Sequence, residues 1–453
     1  MTSNINPKTI FTGDNLPIMR GMNSASVDLI YLDPPFNSKA NYAAPIGSEA
    51  AGAAFKDTWT LSDVDITWLD LIEAKHPALN RVIYAAMTNS DKSYLIYMAI
   101  RLLEMHRILK PTGSLYLHCD PTMSHYLKLV MDSIFGEKQF RNEIVWQRTN
   151  AHNLKAKYFS KTHDVLLFYS KDQDYTWNTQ YTDYSQAQLS RYKKDETGRL
   201  YTGRDLTVSS GGNRNFQWRG SRPPSNRSWG ASLEQLERWY TEGRILLKRD
   251  GTPRLDGLKV YLDELPGKQI PAIWTDIPRI GNTSKERLGY PTQKPLALLE
   301  RIIKASSNEG DIVFDPFCGC ATTLVAADRL QREWIGIDIS AKAAELIVER
   351  IRNDQGMFED IVPRDDIPNR TDLGNIPRYN APENKTQLYG EQGGDCNGCG
   401  EHFQTQHLEI DHIIARSVGG TDHIENLQLL CSHCNRIKGD RGQEYLISRL
   451  NAS

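Results

Sequence analysis

The sequence has few cysteines, no long apolar run and almost no excess of charge. Seven cysteines among 453 residues are too few, and odd in number, for a disulfide framework, which excludes a disulfide-rich secreted scaffold. No apolar run approaches the ~20 residues of a bilayer span and the first residues lack a signal-peptide pattern, so we expect a cytoplasmic protein with no membrane partner. A net charge of -2 excludes the strongly basic chain of simple nucleic-acid binders, although it leaves a basic face open.

The chain of 453 residues is long enough to form more than one hydrophobic core. Apolar strands and amphipathic helices alternate in residues 1–140, where SVDLIYL and SLYLHCD are strands on either side of a long helix. The same alternation returns in residues 271–352, where DIVFDPF and EWIGIDI are strands between helices. It predicts one α/β domain built from both segments, with a parallel sheet covered by helices on both faces.

Residues 141–270 differ in composition and form a predicted insertion. They carry 22 Lys and Arg against 15 Asp and Glu, and the stretch 211–230 interleaves four arginines with Phe216, Trp218 and Trp229. Such a basic, aromatic, Gly/Pro-rich stretch suits contact with nucleic-acid phosphates and exposed bases. The alternative is a loop-rich insertion whose aromatic residues form a small local core.

Residues 353–392 contain four prolines and many Asp and Asn residues with little apolar periodicity, which predicts a linker or an extended strap. A small module rich in cysteine and histidine follows over 393–453. Residues 391–453 hold 5 Lys and Arg against 9 Asp and Glu, so attraction to phosphate is assigned mainly to the insertion.

Asp33-Pro34-Pro35-Phe36 directly follows the predicted strand VDLIYL. The two prolines remove backbone donors, which leaves nearby carbonyl groups free to accept hydrogen bonds beside the aspartate. With the flat ring of Phe36 next to them, these acceptors match an exocyclic aromatic amine, which has two N–H groups and a ring that can stack. A rigid turn at the end of a strand is the alternative, and it would be preferred if the motif stood alone.

The segment DPFCGCATT at 315–323 joins a predicted strand to a helix. Its Gly319 allows the backbone to approach a ligand closely. Asp338 ends the next strand 19 residues later, where dinucleotide-binding folds place the carboxylate that binds ribose hydroxyls. The loop lacks G-x-G-x-x-G, which disfavours a pyrophosphate and favours a nucleoside without phosphate.

Together the two motifs resemble those of the DNA amino-methyltransferases of the β arrangement, in which D-P-P-F precedes the S-adenosylmethionine-binding motif. One departure is Ala321, where the family often has glycine, and we expect it to be tolerated unless that backbone needs a positive φ. The resemblance covers residues 8–352 and includes further family segments in order, namely TGDNLPIM at 12–19, LKPTGSLYLHCD at 109–120, HDVLLFYSK at 163–171, YPTQKPLALLERIIKASS at 290–307 and WIGIDIS at 334–340.

The resemblance implies a Rossmann-like methyltransferase fold that binds S-adenosylmethionine and uses the insertion to recognise double-stranded DNA. Aspartate in the first motif favours adenine N6 over cytosine N4 as the methylated atom. Asp33 and the Pro34 carbonyl would accept hydrogen bonds from this amine, and Phe36 would stack on the base, which must first be flipped out of the duplex. The residues implied to bind the cofactor are Asp315, Phe317, Gly319 and Thr322 at its methionine end, Asp338 at its ribose, and Thr292, Lys294 and Pro295 closing the pocket.

Four of the cysteines form two C-x-x-C pairs, Cys396 with Cys399 and Cys431 with Cys434, separated by 31 residues. Two such pairs predict a tetrahedral zinc site that holds the small module together. A redox pair is the alternative, but it does not explain two matched pairs.

The segment LEIDHIIARSVGGTDHIENLQLLCSHCNRIKG at 408–439 resembles the zinc-stabilised form of the HNH nucleases, which have a ββα-metal fold. The resemblance implies that Asp411 and Asn435 ligate a catalytic divalent ion, usually magnesium. His412 would deprotonate the attacking water, and Asn426 would hold the loop that orients His412. A hard metal takes oxygen ligands and the base must titrate near neutrality, which fits these residue types.

The leading hypothesis is a bifunctional DNA enzyme, an adenine-N6 methyltransferase fused to an HNH endonuclease and serving restriction and modification. The first alternative is a solitary modification methylase, for adenine N6 or cytosine N4, whose module only binds DNA. The second is a non-enzymatic, zinc-dependent DNA-binding protein. The sequence leaves open the recognition site and the oligomeric state, a homodimer included.

Overall fold

The computed structural model forms two compact units, the first made of Met1–Asn178 with Pro271–Ser453 and the second of Thr179–Ile270. We describe each unit by itself. The structure describes residues 3–451 except 39, 44–53, 58, 60, 62–68, 70, 71, 74, 151–156, 210–213, 282, 291, 356–360 and 375, and describes only the backbone of residues 40–43, 54–56, 342–344 and 352–355.

The α-helices are α1 Asn15–Gly21, α2 Pro77–Tyr84, α3 Asn89–Ile108, α4 Ser124–Phe135, α5 Gln186–Leu189, α6 Leu233–Thr241, α7 Leu296–Ser306, α8 Thr322–Arg329, α9 Ala341–Gln355, α10 Pro382–Glu391, α11 Ser432–Lys438 and α12 Gln443–Asn451. The strands of the first unit's large sheet and hairpins are β1 Thr9–Thr12, β2 Val27–Leu32, β3 Ala40–Ala43, β4 Ala54–Asp57, β5 Leu109–Cys119, β6 Phe140–Gln147 and β7 His163–Ser170. The second unit contains β8 Tyr181–Thr182, β9 Lys193–Lys194, β10 Leu200–Arg204, β11 Thr207–Ser209, β12 Arg227–Trp229, β13 Ile245–Leu247, β14 Pro253–Tyr261 and β15 Lys268–Gln269. The first unit continues with β16 Ile273–Trp274, β17 Ile312–Asp315, β18 Glu333–Asp338, β19 Val362–Arg364, β20 Leu408–His412 and β21 Leu427–Cys431.

A nine-stranded sheet in the order β16-β6-β7-β5-β2-β17-β18-β1-β19 forms the centre of the first unit. The prediction of a wholly parallel sheet is wrong, because β7 runs antiparallel to both β5 and β6. Parallel neighbours need a crossover connection, whereas β6 and β7 are joined by residues 148–162, in which the described part contains no helix. The other strands pair in parallel, as the alternation of strands and helices predicts.

The apolar strands are buried because helices cover them. Helix α3 contributes more residues to the core than any other element, and side chains such as Ile30 of β2, Leu102 of α3 and Leu117 of β5 are fully buried. Within the described residues, no helix combines the length and the apolar character that crossing a bilayer requires.

The predicted insertion and the second compact unit have different starting points. Residues 140–170, most of which we had assigned to the insertion, supply β6 and β7 of the large sheet, and the second unit begins at Thr179. That unit holds a four-stranded sheet in the order β13-β14-β10-β9. Trp218 and Trp229 are buried in its core with Phe216 packed against them, so the aromatic residues of 211–230 form a local core rather than an exposed stacking surface.

The segment predicted as a linker is tied to its neighbours at both ends. Strand β19 pairs in parallel with β1, and residues 361–372, which we call the strap, continue along the same edge. Asn23 and Thr371 exchange two hydrogen bonds of 2.8 Å, and Ser24 N donates to Asp372 Oδ2 at 2.8 Å. Further on, Leu388 of α10 is buried in the core of the C-terminal module, which therefore begins before residue 393.

The C-terminal module has a ββα arrangement. Strands β20 and β21 pair antiparallel with Leu408 opposite Cys431 and His412 opposite Leu427, and α11 follows β21 directly. Its small core is made of leucines and cysteines from these elements together with α10 and α12.

Candidate functional site

The carboxyl ends of three adjacent parallel strands bring the two predicted motifs together. Asp33 follows β2, Asp315 ends β17, and Asp338 ends β18, which is the neighbour of β17. A cavity of about 640 Å³ opens at this edge. Except for Pro295, its lining includes the catalytic and cofactor residues in the methyltransferase prediction, namely Asp33, Pro34, Pro35, Phe36, Thr292, Lys294, Asp315, Phe317, Gly319, Thr322 and Asp338. Pro295 instead stands just before the first residue of α7.

Asp33 has two oxygens in unlike surroundings. Oδ2 accepts a hydrogen bond from the ammonium of Lys294, which is itself buried and lies 3.3 Å from the carbonyl oxygen of Thr292. Oδ1 is also shielded from solvent but has no hydrogen-bond partner within the described part of the chain. A buried acceptor without a donor is costly, so Oδ1 is the atom that gains most from an incoming N–H group.

A buried network fixes the ring of Phe36. The ring stacks on His118 with centroids 5.7 Å apart and an interplanar angle of 23°. His118 Nδ1 lies 2.9 Å from the hydroxyl of Tyr31, and its Nε2 lies 3.4 Å from Asp164 Oδ2. Arg148 then pairs with the other oxygen of Asp164 at 2.9 Å. One face of the Phe36 ring is thereby occupied, and the network holds the ring at the cavity wall.

The cofactor loop holds two buried carboxylates. Burial raises the pKa of Asp315 to about 7, although hydrogen bonds from Thr323 Oγ1 and Phe317 N favour its ionised form. Burial likewise raises the pKa of Asp338 to about 6, against hydrogen bonds from Ser340 N and Gly319 N. A bound cation would favour the ionised form of both carboxyl groups and so lower their pKa values.

Ala321 meets the stated exception, a backbone with a positive φ. It adopts φ 62° and ψ 28°, the left-handed conformation that favours glycine, so alanine in place of the family's glycine carries strain here. Gly319 also has a positive φ, and a Cβ there would lie 3.1 Å from the ring of Tyr290. Thr292 is a further residue with positive φ at this site.

Helix α1 supplies a part of the site that the residue predictions missed. Asp14 caps the helix by accepting from Leu16 N and also pairs with Arg101 at 2.8 Å. Asn15 donates to the carbonyl of Pro316 at 2.8 Å and accepts from Arg101 Nε at 2.7 Å. The TGDN segment was the available signal for Asp14 and Asn15, whereas Arg101 lies on α3 without a motif.

The described lining of the cavity is acidic. Arg101 and Lys294 are its basic members, and its acidic members are Asp14, Asp33, Asp57, Asp315 and Asp338. This excess of carboxylates favours a ligand with positive charge.

The four cysteines of the C-terminal module come together as predicted. The Sγ atoms of Cys396, Cys399, Cys431 and Cys434 all lie within 4.8 Å of one another. Four thiolates at Zn–S distances of ~2.3 Å require a comparable mutual spacing. Among the described residues, no second group of three or more His, Cys, Asp or Glu is close enough to hold an ion.

The predicted nuclease metal ligands have protein partners. Asp411 Oδ2 lies 2.8 Å from the ammonium of Lys438, a fully buried lysine that sequence reasoning missed, and accepts from Gln428 at 3.2 Å. Asn435 donates through Nδ2 to Glu409 at 2.5 Å, which leaves its amide oxygen as the atom able to ligate a cation. These oxygen donors are of the kind that a hard divalent ion takes.

His412 is oriented by residues around it. Its Nε2 lies 2.9 Å from Asp422 Oδ1, and its ring lies 4.9 Å from that of Tyr379. Asn426 accepts from Ile414 N and donates to the carbonyls of Ile414 and Thr421, and so bridges the two ends of the loop that follows His412. This is the position that the resemblance implies for Asn426, and Asp422 and Tyr379 are additions from the structure.

Comparison with known proteins agrees with this arrangement. The family model described as DNA methylase matches residues 27–349, and the model described as HNH endonuclease matches residues 396–441. The chain belongs to the DNA methylase family. This methylase carries its HNH match in the separate C-terminal module, and its D-P-P-F motif and cofactor loop both lie inside the first match.

Several curated proteins are similar to this methylase. It is 33% identical over 267 residues to the type II methyltransferase M.EcaI of Enterobacter cloacae, covering 58% of each chain. It is 25% identical to the StyLTI Mod subunit, a type III restriction-modification enzyme of Salmonella typhimurium, over 74% of this chain and 52% of that one. The chain thus spans between half and three fifths of the length of these two relatives. A solved structure, the cytosine-N4-specific PvuII DNA methyltransferase, matches with a TM-score of 0.36 and 14% identity, over 79% of this chain and 97% of that one.

Proposed function

We propose that the protein transfers a methyl group from S-adenosylmethionine to the N6 amine of adenine in double-stranded DNA. The observation that carries this proposal is that Asp33, whose Oδ1 is a buried acceptor without a donor among the described residues, lines the same cavity as the cofactor loop. Relatives named as methyltransferases support it, and one at 26% identity is the DNA adenine methyltransferase YhdJ of Escherichia coli.

The residues present fit this cofactor. A cavity of about 640 Å³ is within the usual size of small-molecule sites, ~300–1,000 Å³. Its acidic lining suits a sulfonium and an ammonium, Asp315 lies in the loop at the sheet edge, and Asp338 ends the next strand, where a ribose is held in related folds. When bound, the cofactor supplies an electrophilic methyl group.

The chain's own residues activate the target amine by positioning it. Asp33 Oδ1 accepts one N–H of the amine, which turns the nitrogen lone pair out of the ring and towards the methyl group. Lys294 holds the other oxygen of Asp33 and so fixes the carboxylate for this role. Phe36, braced by His118, stacks on the flipped base. Bound S-adenosylmethionine would supply the methyl group and would leave as a neutral thioether, and Asp33 would accept the proton that the methylated amine releases.

Transfer of labelled methyl groups to unmethylated DNA tests this proposal. We expect incorporation by the unaltered protein and a loss of at least about 100-fold in Asp33→Asn, because one oxyanion or acceptor group is typically worth this much. Asp174→Asn, at an exposed aspartate, is the matched control and should retain full activity. Mapping the methylated atoms distinguishes adenine N6 from cytosine N4. Absence of incorporation by the unaltered protein would contradict the proposal.

We propose further that the C-terminal module is a metal-dependent DNA endonuclease. The residues that support it are Asp411 and His412 at the end of β20, where Asp422 orients His412, and Asn435 of α11, which reaches β20 through its hydrogen bond to Glu409. A divalent ion, magnesium by preference, would be held by oxygens of Asp411 and Asn435 and would supply Lewis acidity to the scissile phosphate. His412, paired with Asp422, accepts a proton from the attacking water.

Cleavage of unmethylated DNA in the presence of Mg²⁺ tests the nuclease. We expect cleavage by the unaltered protein and none by His412→Ala, with His402→Ala as the control because that histidine is exposed and pairs with Asp395, which has no role in the proposed site. DNA binding without cleavage in the unaltered protein would instead support the alternative in which the module only binds DNA.

A further inference from the structure

Helix α1 belongs to the cofactor cavity at one end and to the C-terminal module at the other. Asp14 and Asn15, at its start, line the cavity. Two and five residues after Asn15, Pro17 and Arg20 lie against the loop that follows His412. A single two-turn helix therefore contacts both the cofactor cavity and this loop of the module.

The contact on the module side is made by Gly419. Its φ is 85°, and a Cβ at this position would lie 2.7 Å from the carbonyl oxygen of Pro17 and 3.4 Å from Cβ of Arg20. The same Cβ would lie 3.2 Å from Ile367 of the strap. The loop backbone thus approaches α1 more closely than any side chain at position 419 would permit.

Charged groups extend this contact towards the cavity. The carboxylates that act on the Arg20 guanidinium are Glu104 of α3, Glu444 of α12 in the module, and Asp14. Asp14 in turn pairs with Arg101, a cavity residue. Displacement of one member of such a cluster changes the electrostatic environment of the others.

The loop that contacts α1 also shapes the proposed nuclease site. Ile414 N donates to Asn426 Oδ1, Gly420 N donates to the Ala415 carbonyl, and Asp422 at the end of the loop holds His412. A change in how Gly419 sits on α1 would therefore be transmitted to the orientation of His412.

We propose that the Pro17–Arg20 face of α1 is a docking surface for the loop 413–422 of the C-terminal module, and that cofactor binding and module docking are thermodynamically linked through this helix. The proposal rests on the proposed binding of S-adenosylmethionine, and it does not require the nuclease to be active. Because linkage is reciprocal, weakening the docking must weaken cofactor binding, and the cofactor must in turn favour the docked loop.

Calorimetric titration of the full chain with S-adenosylmethionine tests the linkage. We expect Gly419→Ala to weaken binding by on the order of fivefold, the lower range of typical coupling between sites. Gly400→Ala is the matched control, because Gly400 lies in the same module with a φ of 72° but has no atom within 4 Å of the added Cβ. The control carries the same backbone strain without the contact.

A charge variant and a proteolysis measurement complete the test. Glu444→Gln should also weaken cofactor binding, whereas Glu383→Gln, at an exposed glutamate of the same module, should not. This pair decides the matter if Gly419→Ala fails to fold. The cofactor should also slow tryptic cleavage after Arg416, an exposed residue of the loop.

The outcomes separate the two proposals. If the unaltered protein does not bind S-adenosylmethionine, the proposed function fails, and the linkage fails with it. If the unaltered protein binds but Gly419→Ala and Glu444→Gln bind equally well, and cleavage after Arg416 is unchanged by the cofactor, only the linkage is overturned.

Discussion

Asp315 is a fully buried carboxyl group of the cofactor loop, and its ionisation lowers the stability of the fold. Burial raises the pKa of Asp315 to about 7, above the ordinary range, so its contribution to stability is complete below about pH 4 and is lost as the pH rises through 7. The Asp315→Asn side chain cannot ionise, so the variant is not destabilised as the pH rises. The melting temperature of the variant should therefore exceed that of the unaltered protein, and by clearly more at pH 8 than at pH 5.5. We also expect the variant to bind S-adenosylmethionine much more weakly.

Differential scanning fluorimetry at the two pH values measures this effect. Asp174→Asn, at an exposed carboxyl, controls for a general effect of removing one negative charge. A melting-temperature difference for Asp315→Asn that is equal at both pH values would show that the ionisation of this group is not the cause.

The left-handed backbone of Ala321 predicts the effect of a second substitution on stability. Its left-handed backbone costs an L-residue ~1–2 kcal/mol, whereas glycine loses ~0.5–1 kcal/mol of chain entropy, so Ala321→Gly should stabilise the protein by up to about 1 kcal/mol. Ala327→Gly, within helix α8, should instead destabilise it by ~1 kcal/mol or more. Chemical denaturation measures both, and a loss of stability in Ala321→Gly would contradict the argument.

Residues to which a family motif assigns a role could be predicted from the sequence, and residues that act only through contacts could not. Asp33, Lys294 and Asp338 were predicted because the resemblance gives each of them a role, and the structure places all three on one cavity. His118 and Lys438 also lie inside family segments, but the resemblance assigned no role to them. Their roles depend on contacts with Phe36 and Asp411, and the spacing of a single side chain along the chain does not reveal such contacts.

Among the elements, the ββα module is the one that we expect to depend on a bound metal. Its buried core consists of a few leucines and cysteines, which is little apolar burial for an independent fold, so we expect zinc at the four cysteines to supply stability. We expect Cys399→Ser to release zinc and to unfold residues of the module while the large sheet stays folded.

Zinc content and hydrogen exchange resolved by segment test this expectation. Cys119→Ser is the control, because Cys119 is a buried cysteine of β5 and its replacement should leave the zinc content unchanged. Full protection of the module from exchange after zinc is lost would contradict the dependence.

Element types were easier to predict than their directions and partners. The alternation of strands and helices gave the correct class, but the antiparallel β7 was missed because apolar strands do not encode their direction. The composition of residues 353–392 is compatible with either a linker or an extended strap. The sequence does not decide between them, because β19 has only three residues and is ordered by its pairing with β1. Aromatic residues suit a core and a base-stacking surface equally well, so the sequence did not decide between nucleic-acid contact and a local core for Trp218 and Trp229. The structure shows the local core.

At the scale of the whole molecule, the near-zero net charge conceals segments of opposite sign. The basic excess lies in residues 141–270 and an acidic excess in 391–453. Because the aromatic rings of 211–230 are taken up by the core of the second unit, exposed cations such as Lys248 and Arg249 are what remains for phosphate contact there. The charge distribution therefore supports DNA contact through electrostatics more than through stacking.

The strap is hydrogen-bonded to residues near the start of the chain, so its removal by truncation should destabilise the first unit. A chain that ends at residue 374 keeps five hydrogen bonds that tie the strap to Asn4, Asn23 and Ser24, whereas a chain that ends at residue 355 loses them and exposes the edge of β1. At ~1 kcal/mol each, these bonds contribute roughly 5 kcal/mol. The shorter chain should melt ~10 °C lower, at the usual ~2–4 °C per kcal/mol.

Both truncated chains lack the C-terminal module, so their comparison isolates the strap from the loss of docking on α1. Thermal unfolding measures the difference, and Asn23→Ala in the longer chain should reproduce part of it, because that residue exchanges two hydrogen bonds with Thr371. Equal melting temperatures for the two truncations would mean that the segment is a linker after all. A large difference would place the stable boundary of the methylase after the strap, since β1 needs the edge strand β19 to satisfy its outer hydrogen-bonding groups.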